Sequence, residues 1–265
     1  MLGTAVAVDF QLTVLGSGSS GNCSLVSHGD THILIDAGFS GKEIMARMVA
    51  SGIEPEQLTA VLVTHEHSDH IKSAHTISRK FKIPILSTEG TYLSAFRDRN
   101  FYEWVQVFPG RSFAVGEMVI HPISLPHDAA DPIGFRIECG ERILGHLTDF
   151  GYVSGLVRES LKGCDLLLVE ANHDLRMLRE GPYPWLLKQR IASRLGHLSN
   201  DSLLELLPDI LSEKTQHLIL AHMSETNNNP KLLTLQVRQT LNRIGLTRIP
   251  FTIAAQHQPM TSMRI

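Results

Sequence analysis

The chain has 265 residues, 43% of them hydrophobic and 19% charged, and 24 basic side chains stand against 27 acidic ones for a net charge of −3. That apolar share and small net charge exclude intrinsic disorder, and no apolar run approaches the ~18 residues a membrane span needs. A globally basic nucleic-acid coat is excluded too, although a local basic patch is still free to steer a phosphate backbone.

In chain order, Phe10–Leu15 alternates as a strand and stops at the turn-rich loop Gly16-Ser-Gly-Ser-Ser-Gly21. Cys23–Ser27 and His32–Asp36 pair about the turn His28-Gly29-Asp30. Ser40-Gly-Lys-Glu43 is a capping box opening a helix that runs to Gly52. Leu58–Val63 is a continuous apolar run, hence a buried strand, and it delivers the chain into Thr64-His-Glu-His-Ser-Asp-His70. A helix over Ile71–Phe81, a strand at Pro84–Ser87 and a helix near Gly90–Arg97 follow. Strands are then expected at Trp104–Phe108, Ser112–Ser124, Gly134–Cys139 and Arg142–Thr148. The last third turns α/β. Strands fall at Asp165–Glu170, His217–Ala221 and Pro250–Ala255, with helices over Asn172–Arg179, Pro184–Arg194, Ser199–Leu211 and Lys231–Arg243.

No Pro/Gly/Ser linker divides the chain, so residues 10–265 read as a single domain and residues 1–9 as a disordered N-terminal tail. A chain of this size buries roughly 70–75% of its unfolded surface and needs no disulfide staples. Strands then helices, twice over, suit a two-sheet sandwich with helices outside. The apolar stretch Ala5–Val8 is too short for a signal peptide and has no basic region before it. Cys23, Cys139 and Cys164 are too few and too widely spaced for a disulfide framework or a cysteine zinc site. They fit a reducing compartment, and the expected location is cytoplasmic.

Histidine is the unusual count, at fourteen. His65, His67, Asp69 and His70 crowd four metal-competent side chains after a buried strand. In extended backbone residues i and i+2 project to one side, so His65 and His67 can hold one ion together. Asp69 and His70 project differently and suit a second ion. Imidazole and carboxylate together fit zinc, manganese or iron. Two ions need further ligands, and His127, Asp149 and His222 each stand at the mouth of an apolar strand.

These motifs resemble the metallo-β-lactamase-fold hydrolases, whose five motifs map in order onto Asp36, His65/His67/Asp69/His70, His127, Asp149 and His222. The resemblance implies an α/β fold, a metallo-β-lactamase-like four-layer αββα sandwich of two mixed β-sheets with flanking helices. It also implies two divalent metal ions. The first would take His65, His67 and His127, the second Asp69, His70 and His222, with Asp149 bridging. Asp36 would orient a ligand from behind, its other reading being a turn residue at a strand end.

A narrower resemblance rests on Leu15-Gly-Ser-Gly-Ser-Ser-Gly-Asn22, Val169-Glu-Ala-Asn-His-Asp174, Gly181-Pro-Tyr-Pro-Trp185, Gly196-His-Leu-Ser-Asn200 and Ala221-His-Met-Ser-Glu-Thr-Asn-Asn-Asn-Pro230. Together they are similar to the YycJ/WalJ-type exonuclease group. That resemblance implies 5′–3′ exonuclease activity on DNA, with a hydroxide held by the two ions as nucleophile and Asp69, His197 and Glu170 as catalytic residues. His197 would protonate the leaving 3′-oxygen while Glu170 orients it, a pair similar to one in the tRNA 3′-processing endonucleases; the other reading of His197 is a helix-start histidine before the Ser199 cap. The interval from Asp149 to His222 is too short for the extra RNA-clamping domain of related nucleases. Small-ester or thioester hydrolysis, as in lactonases and glyoxalase II, is the alternative on the same metal pair.

Further substrate contacts are expected from Ser19, Ser20 and Asn22, in a loop able to offer backbone N–H groups to phosphate. That loop lacks the Lys-Ser/Thr of a P-loop, and as a plain turn it would look the same. Lys188 and Arg190, joined by Arg194 at near-helical spacing, suit DNA phosphates or an ordinary solvated face. His173 either lines the same cleft or covers the helix opened by Asn172. His28, His32, His75, His121, His146, His217 and His257 read as structural or surface residues.

Overall fold

A computed structural model describes residues 10–265, and the tail expected at 1–9 lies outside the described residues. In chain order the strands are β1 (Gln11–Gly16), β2 (Cys23–His28), β3 (Thr31–Ile35), β4 (Leu58–Leu62), β5 (Pro84–Ser87), β6 (Glu103–Gln106) and β7 (Phe113–Val115). Then come β8 (Met118–Ser124), β9 (Ile133–Cys139), β10 (Arg142–Leu147), β11 (Leu166–Glu170), β12 (His217–Ala221), β13 (Phe251–Ile253) and β14 (Met263–Arg264). They form two mixed seven-stranded sheets, ordered β14-β1-β2-β3-β4-β5-β6 and β13-β12-β11-β10-β9-β8-β7.

The sheets pack face to face and helices cover both outer surfaces, so central strands are apolar on both faces. In β11, Leu166 and Leu168 point into the core between the sheets, with Ile33, Ile35, Leu62 and Phe135. Leu167 and Val169, one residue out of phase, enter a second core under α5 (Gly155–Leu161), α8 (Asn200–Ile210) and α9 (Pro230–Arg243). A third core lies under α1 (Gly41–Ala50), α3 (Ala74–Phe81) and α4 (Glu89–Ala95) on the other side, and α6 (Leu175–Glu180) and α7 (Trp185–Ile191) fall between β11 and α8 in the chain. All three cysteines are buried and free. No described helix is long and apolar enough to cross a membrane.

Most expected elements stand where the sequence puts them, and the departures have local causes. The helix expected over Ile71–Phe81 is two, α2 (Ser68–Ile71) and α3, because Ser73 leaves the helical track. Its N–H and hydroxyl donate instead to the carbonyls of Ala37 at 3.0 Å and Phe39 at 2.8 Å. The long strand expected at Ser112–Ser124 folds into the hairpin β7–β8 at Gly116, whose φ of 59° glycine adopts without steric cost. Ser40 caps α1 through the Glu43 N–H as expected, but the Glu43 carboxylate turns to Arg47 rather than back to the cap. Helix α5, capped by Ser154, and β14, which pairs antiparallel with β1, were not anticipated.

One polar contact ties the sheets across their core: His146 on β10 shares a hydrogen bond of 3.0 Å with the Ser24 hydroxyl on β2. Burial pushes the His146 imidazole down from 6.5 to about 4, so the folded state holds it neutral. Because the unfolded chain binds that proton first, the contribution is complete above pH 6.5 and is lost as pH falls toward 4. The loss is on the order of 3 kcal/mol. Urea unfolding of the wild type and of His146→Gln at intervals from pH 7 to 4.5 should give a shallower pH slope for the variant. Parallel slopes would show that His146 is protonated at no cost.

Candidate metal centre

Three strands end in the same unusual way. Asp36 after β3, Asp149 two residues past β10 and His222 after β12 have φ of 62°, 63° and 53°, and among described non-glycine residues only Lys82 joins them in the left-handed region. Such a turn costs on the order of 1–3 kcal/mol and persists only where its surroundings dictate it. Here they do: the Asp36 N–H donates to Leu62 on β4, and the His222 N–H donates to the Ser17 hydroxyl at 2.8 Å. Beyond β4 the chain bends at Thr64 and again at Glu66, so His65 and His67 are brought together by bends and not by a continuous strand; His67 is extended, and the chain then winds into α2, which carries Asp69 and His70. Gly38 lets that helix sit close, since a Cβ there would run into the Asp69 carbonyl.

The ligand atoms of His65, His67 and His127 gather within 4.8 Å of one another, and those of Asp69, His70 and His222 do the same. Asp149 joins both groups, falling within 4.8 Å of His65 and His70 together. Its Oδ2 lies 3.3 Å from His70 Nε2 and its Oδ1 3.4 Å from His222 Nδ1.

A ring of supporting groups sets the orientation of each imidazole. Asp36 Oδ2 lies 2.7 Å from His70 Nδ1, and both Asp36 oxygens accept from the Thr64 hydroxyl, Oδ1 also from the Thr64 N–H. His127 Nδ1–H donates to the Gly196 carbonyl at 2.9 Å, and His65 Nδ1 meets the Thr64 hydroxyl at 3.0 Å. His222 Nδ1 lies 3.0 Å from Glu170. Held this way, His65 Nε2, His222 Nε2 and Asp149 Oδ2 are buried and make no hydrogen bond, although His222 Nε2 lies 3.5 Å from Asp69 and Asp149 Oδ2 3.3 Å from His70. Orphaned polar atoms are costly unless something satisfies them, and these three belong to the two ligand groups. The donor set therefore fits divalent cations, with imidazole and carboxylate mixed as zinc, manganese or iron accept.

The charge distribution agrees. Burial alone would lower His222, but Asp149, Asp69 and Glu170 hold it up at about 10. His70 is likewise raised against its burial by Asp149, Asp36 and Asp69. Asp69 resists the upward push of burial and is driven far below the ordinary carboxylate range by His70 and His222. Burial first, then neighbouring imidazoles, pushes His65 down and keeps it in the neutral form a ligand needs. Carboxylates that hold protons on two histidines would hold a divalent ion more strongly, so metal entry releases protons.

Beside the ligands, Glu170 is fully buried at the end of β11 and its Oε1 lies 2.8 Å from His197 Nδ1. The same oxygen contacts His222, while Oε2 accepts from the N–H groups of Phe150 and Leu198. Glu170 thus positions a ligand as well as His197, a double duty the sequence did not suggest. His173 lies near the pair and is 1% exposed. Asn22 turns inward, its amide 3.1 Å from His70 Nε2 and 3.4 Å from Asp69, whereas Ser19 and Ser20 stay exposed on the loop. Lys188 donates to the Arg179 carbonyl, and Arg190 pairs with Asp128, next to His127. Sequence reasoning overlooked Thr64, Asn172 and Asp128. Thr64 opens the histidine motif itself, and that adjacency was the available signal.

The fold and this donor set define a metallohydrolase of the metallo-β-lactamase class. The family model described as "Beta-lactamase superfamily domain" matches residues 31–223, and the chain belongs to that superfamily. It is 35% identical over 240 residues to exodeoxyribonuclease YycJ of Bacillus anthracis, covering 88% of this chain and 89% of that protein. It is 36% identical over 245 residues to exodeoxyribonuclease WalJ of Streptococcus pneumoniae, covering 90% and 91%. Among solved structures, the metallo-β-lactamase fold protein YhfI of Bacillus subtilis superposes with a TM-score of 0.72 at 17% identity, over 95% of this chain and 99% of that one. The short form of human tRNase Z superposes at 0.66 and 16% identity, over 95% and 98%.

The ligand groups make separable predictions. His65→Ala and His127→Ala should lower metal content at one site, and His70→Ala and His222→Ala at the other. Metal stoichiometry with anomalous scattering on the four variants checks this, and a mixed pattern would sink the partition. Asp36→Asn keeps the shape but weakens the hold on His70, so metal affinity should fall about 10–100-fold.

Proposed function

We propose that the chain is a two-metal phosphodiesterase that degrades DNA from the 5′ end. The observation that carries this reading is the pair of buried Glu170 and partly exposed His197, 2.8 Å apart and beside the ligand groups. A thiolate leaves without help, whereas the 3′-oxygen of a nucleotide leaves as an alcohol only if a proton reaches it. A site that builds in such a donor suits alkoxide leaving groups. Arg190, held by Asp128 beside the ligand His127, suits a phosphate. The relatives at 35% and 36% identity that carry the name exodeoxyribonuclease support DNA as substrate.

Divalent ions bound by the seven ligands would lower the pKa of a water and neutralise charge growing on the phosphodiester. Asp69, with 22% of its side chain exposed, accepts a hydrogen bond from the attacking water and orients it. Glu170 takes the His197 Nδ1–H, which leaves Nε2 to carry the proton toward the substrate. As the water oxygen bonds to phosphorus it gives up one proton to solvent, the P–O3′ bond breaks, the Nε2 proton passes to O3′, and solvent returns a proton to His197. The products are a 3′-hydroxyl and a 5′-phosphate. A small-ester hydrolase on the same ligands is the competing reading, and the substrates below separate the two.

His197→Ala should cut turnover on DNA by about 10²–10⁴-fold with metal content intact. The defect should shrink on a p-nitrophenyl phosphodiester, whose leaving group needs no proton. Equal slowing on both, or loss of metal, would make His197 a structural residue. Glu170→Gln should differ from His197→Ala by also weakening metal binding, because Glu170 touches His222. End-labelled DNA and RNA run beside a lactone panel, with manganese and with zinc, test the substrate class.

A further inference from the structure

Helix α7 buries only its last residue, Ile191. At its other end Trp185 and Leu186 are 67% and 79% exposed, the most exposed large apolar side chains among the described residues. Isolated exposed apolar residues are ordinary, but a tryptophan and a leucine side by side with so little cover ask for a partner. Pro182 and Pro184, on either side of Tyr183, restrict the chain that leads into the helix. The pair is therefore presented with little freedom left to lose on binding.

Charge and position say which partner. From Leu175 to Leu195 the basic side chains Arg176, Arg179, Lys188, Arg190 and Arg194 stand against Glu180 alone, within a chain whose net charge is −3. Glu180 is shared by Arg176 at 3.1 Å and Arg179 at 3.5 Å, so the excess stays positive. Arg190 lies one turn after Leu186 on the same helix face. It gives its Nε–H to Asp128, the neighbour of the ligand His127, and its half-exposed guanidinium carries further N–H groups suited to a phosphate. The far end of the helix is tied to the metal centre. The His197 N–H donates to the Ile191 carbonyl at 2.9 Å, and the Gly196 carbonyl accepts from His127 Nδ1 at 2.9 Å. From Trp185 to Ile191 the helix rises only about 9 Å, so the exposed indole stands a short step from the ligands.

We propose that α7 is a stacking platform for unpaired bases of a nucleic-acid strand entering the metal centre, with a base lying on the Trp185 indole, Leu186 packing beside it and Arg190 on a neighbouring phosphate. The platform deepens the nuclease reading and rests on it only for the fate of the strand. Every base has a π-face, so such a surface accepts any sequence, and it reaches a base only where the strand is unpaired. A stable protein partner buries about 1,200 Å² or more, which two apolar side chains in a basic segment do not supply. A polyanion with flat apolar rings uses both the charge and the indole.

The test uses the full chain loaded with manganese and a phosphorothioate oligothymidylate, which resists cutting. The chain has two tryptophans, and Trp104 is stacked on Tyr92 at 4.0 Å with its indole N–H held by Ser87, so a saturable quench of emission reports Trp185. In Trp185→Phe that quench should vanish while affinity, read by anisotropy of a labelled strand, stays close to wild type. Trp185→Ala and Trp185→Leu should both weaken binding about tenfold, the scale of one stacked base. Leucine keeps apolar area and lacks the π-face, which separates stacking from apolar docking, and thermal melts confirm that the variants fold. A blunt duplex should bind more weakly than the unpaired strand, and that gap should narrow in Trp185→Ala. No saturable quench, unchanged affinity in Trp185→Ala, or a leucine variant that binds like the phenylalanine one would overturn the proposal. So would Trp185 emission that responds to phosphatidylserine vesicles and not to the strand. Cutting of an ordinary strand with affinity unchanged in Trp185→Ala removes the platform and keeps the exonuclease reading, whereas Trp185-dependent binding with no cutting supports the platform and overturns that reading.

Discussion

The candidate centre depends on one buried carboxylate. Glu170 sits at the end of β11 with no exposure, and burying a carboxylate costs several kcal/mol unless its lone pairs are taken. They are taken by groups from three other segments: Phe150 beyond β10, His197 and Leu198 before α8, and His222 beyond β12. Each partner pays back part of the burial cost, and each is thereby fixed next to a ligand. Removing the carboxylate would release a loop, a helix approach and a metal ligand together. Leaving it without its partners would strand a charge in the interior.

Backbone strain is used the same way. Asp36, Asp149 and His222 all take up left-handed turns at strand mouths, and aspartate and histidine are among the few side chains that enter that region readily. The turn bends each side chain off its strand and toward the ligand groups. Short hydrogen bonds then hold the turn: Asp36 N–H to Leu62, His222 N–H to Ser17, and Phe150 N–H just beyond Asp149 to Glu170. Ser17 and Asn22 show what the serine–glycine loop does in this frame. Ser17 donates to Asn22 Oδ1, and Asn22 reaches Asp69 and His70, so half of that loop braces the ligands.

The sequence made the ligands legible because each is a lone polar residue following an apolar run, and the strands are hydrophobic enough to be read without help. Leu58–Val63 and Asp165–Glu170 could be little else than buried strands. The two-sheet arrangement was less legible, since nothing in β14 or β6 announces which sheet each joins. Helix α5 was missed although Ser154 is an ordinary cap, because Gly155 and a short length mask its periodicity. Asn22 looked like a phosphate contact by its place in a glycine loop. Its inward turn depends on α2 lying close behind Gly38, a contact between segments that no local pattern encodes. The shared role of Glu170 was hidden for the same reason.

Both ligand triads draw on both sheets. His65, His67, Asp69 and His70 follow β4 in one sheet, while His127 follows β8 and His222 follows β12 in the other. Each triad therefore takes two ligands from the first sheet and one from the second, and Asp149 adds a second-sheet carboxylate to both. An ion held by such a set is a tie across the interface that the apolar core already forms. Ligand binding to the native state alone stabilises it by RT times the logarithm of one plus the ratio of free ligand to Kd, about 2.7 kcal/mol at a hundredfold excess. The core between the sheets brings these side chains within reach of one another, and any ion they held would in turn resist separation of the sheets. Sheet packing and metal affinity are then linked, in the sense that a substitution deep in the inter-sheet core, far from any ligand, weakens apparent metal binding in proportion to the fraction of molecules in which it leaves the sheets unpaired.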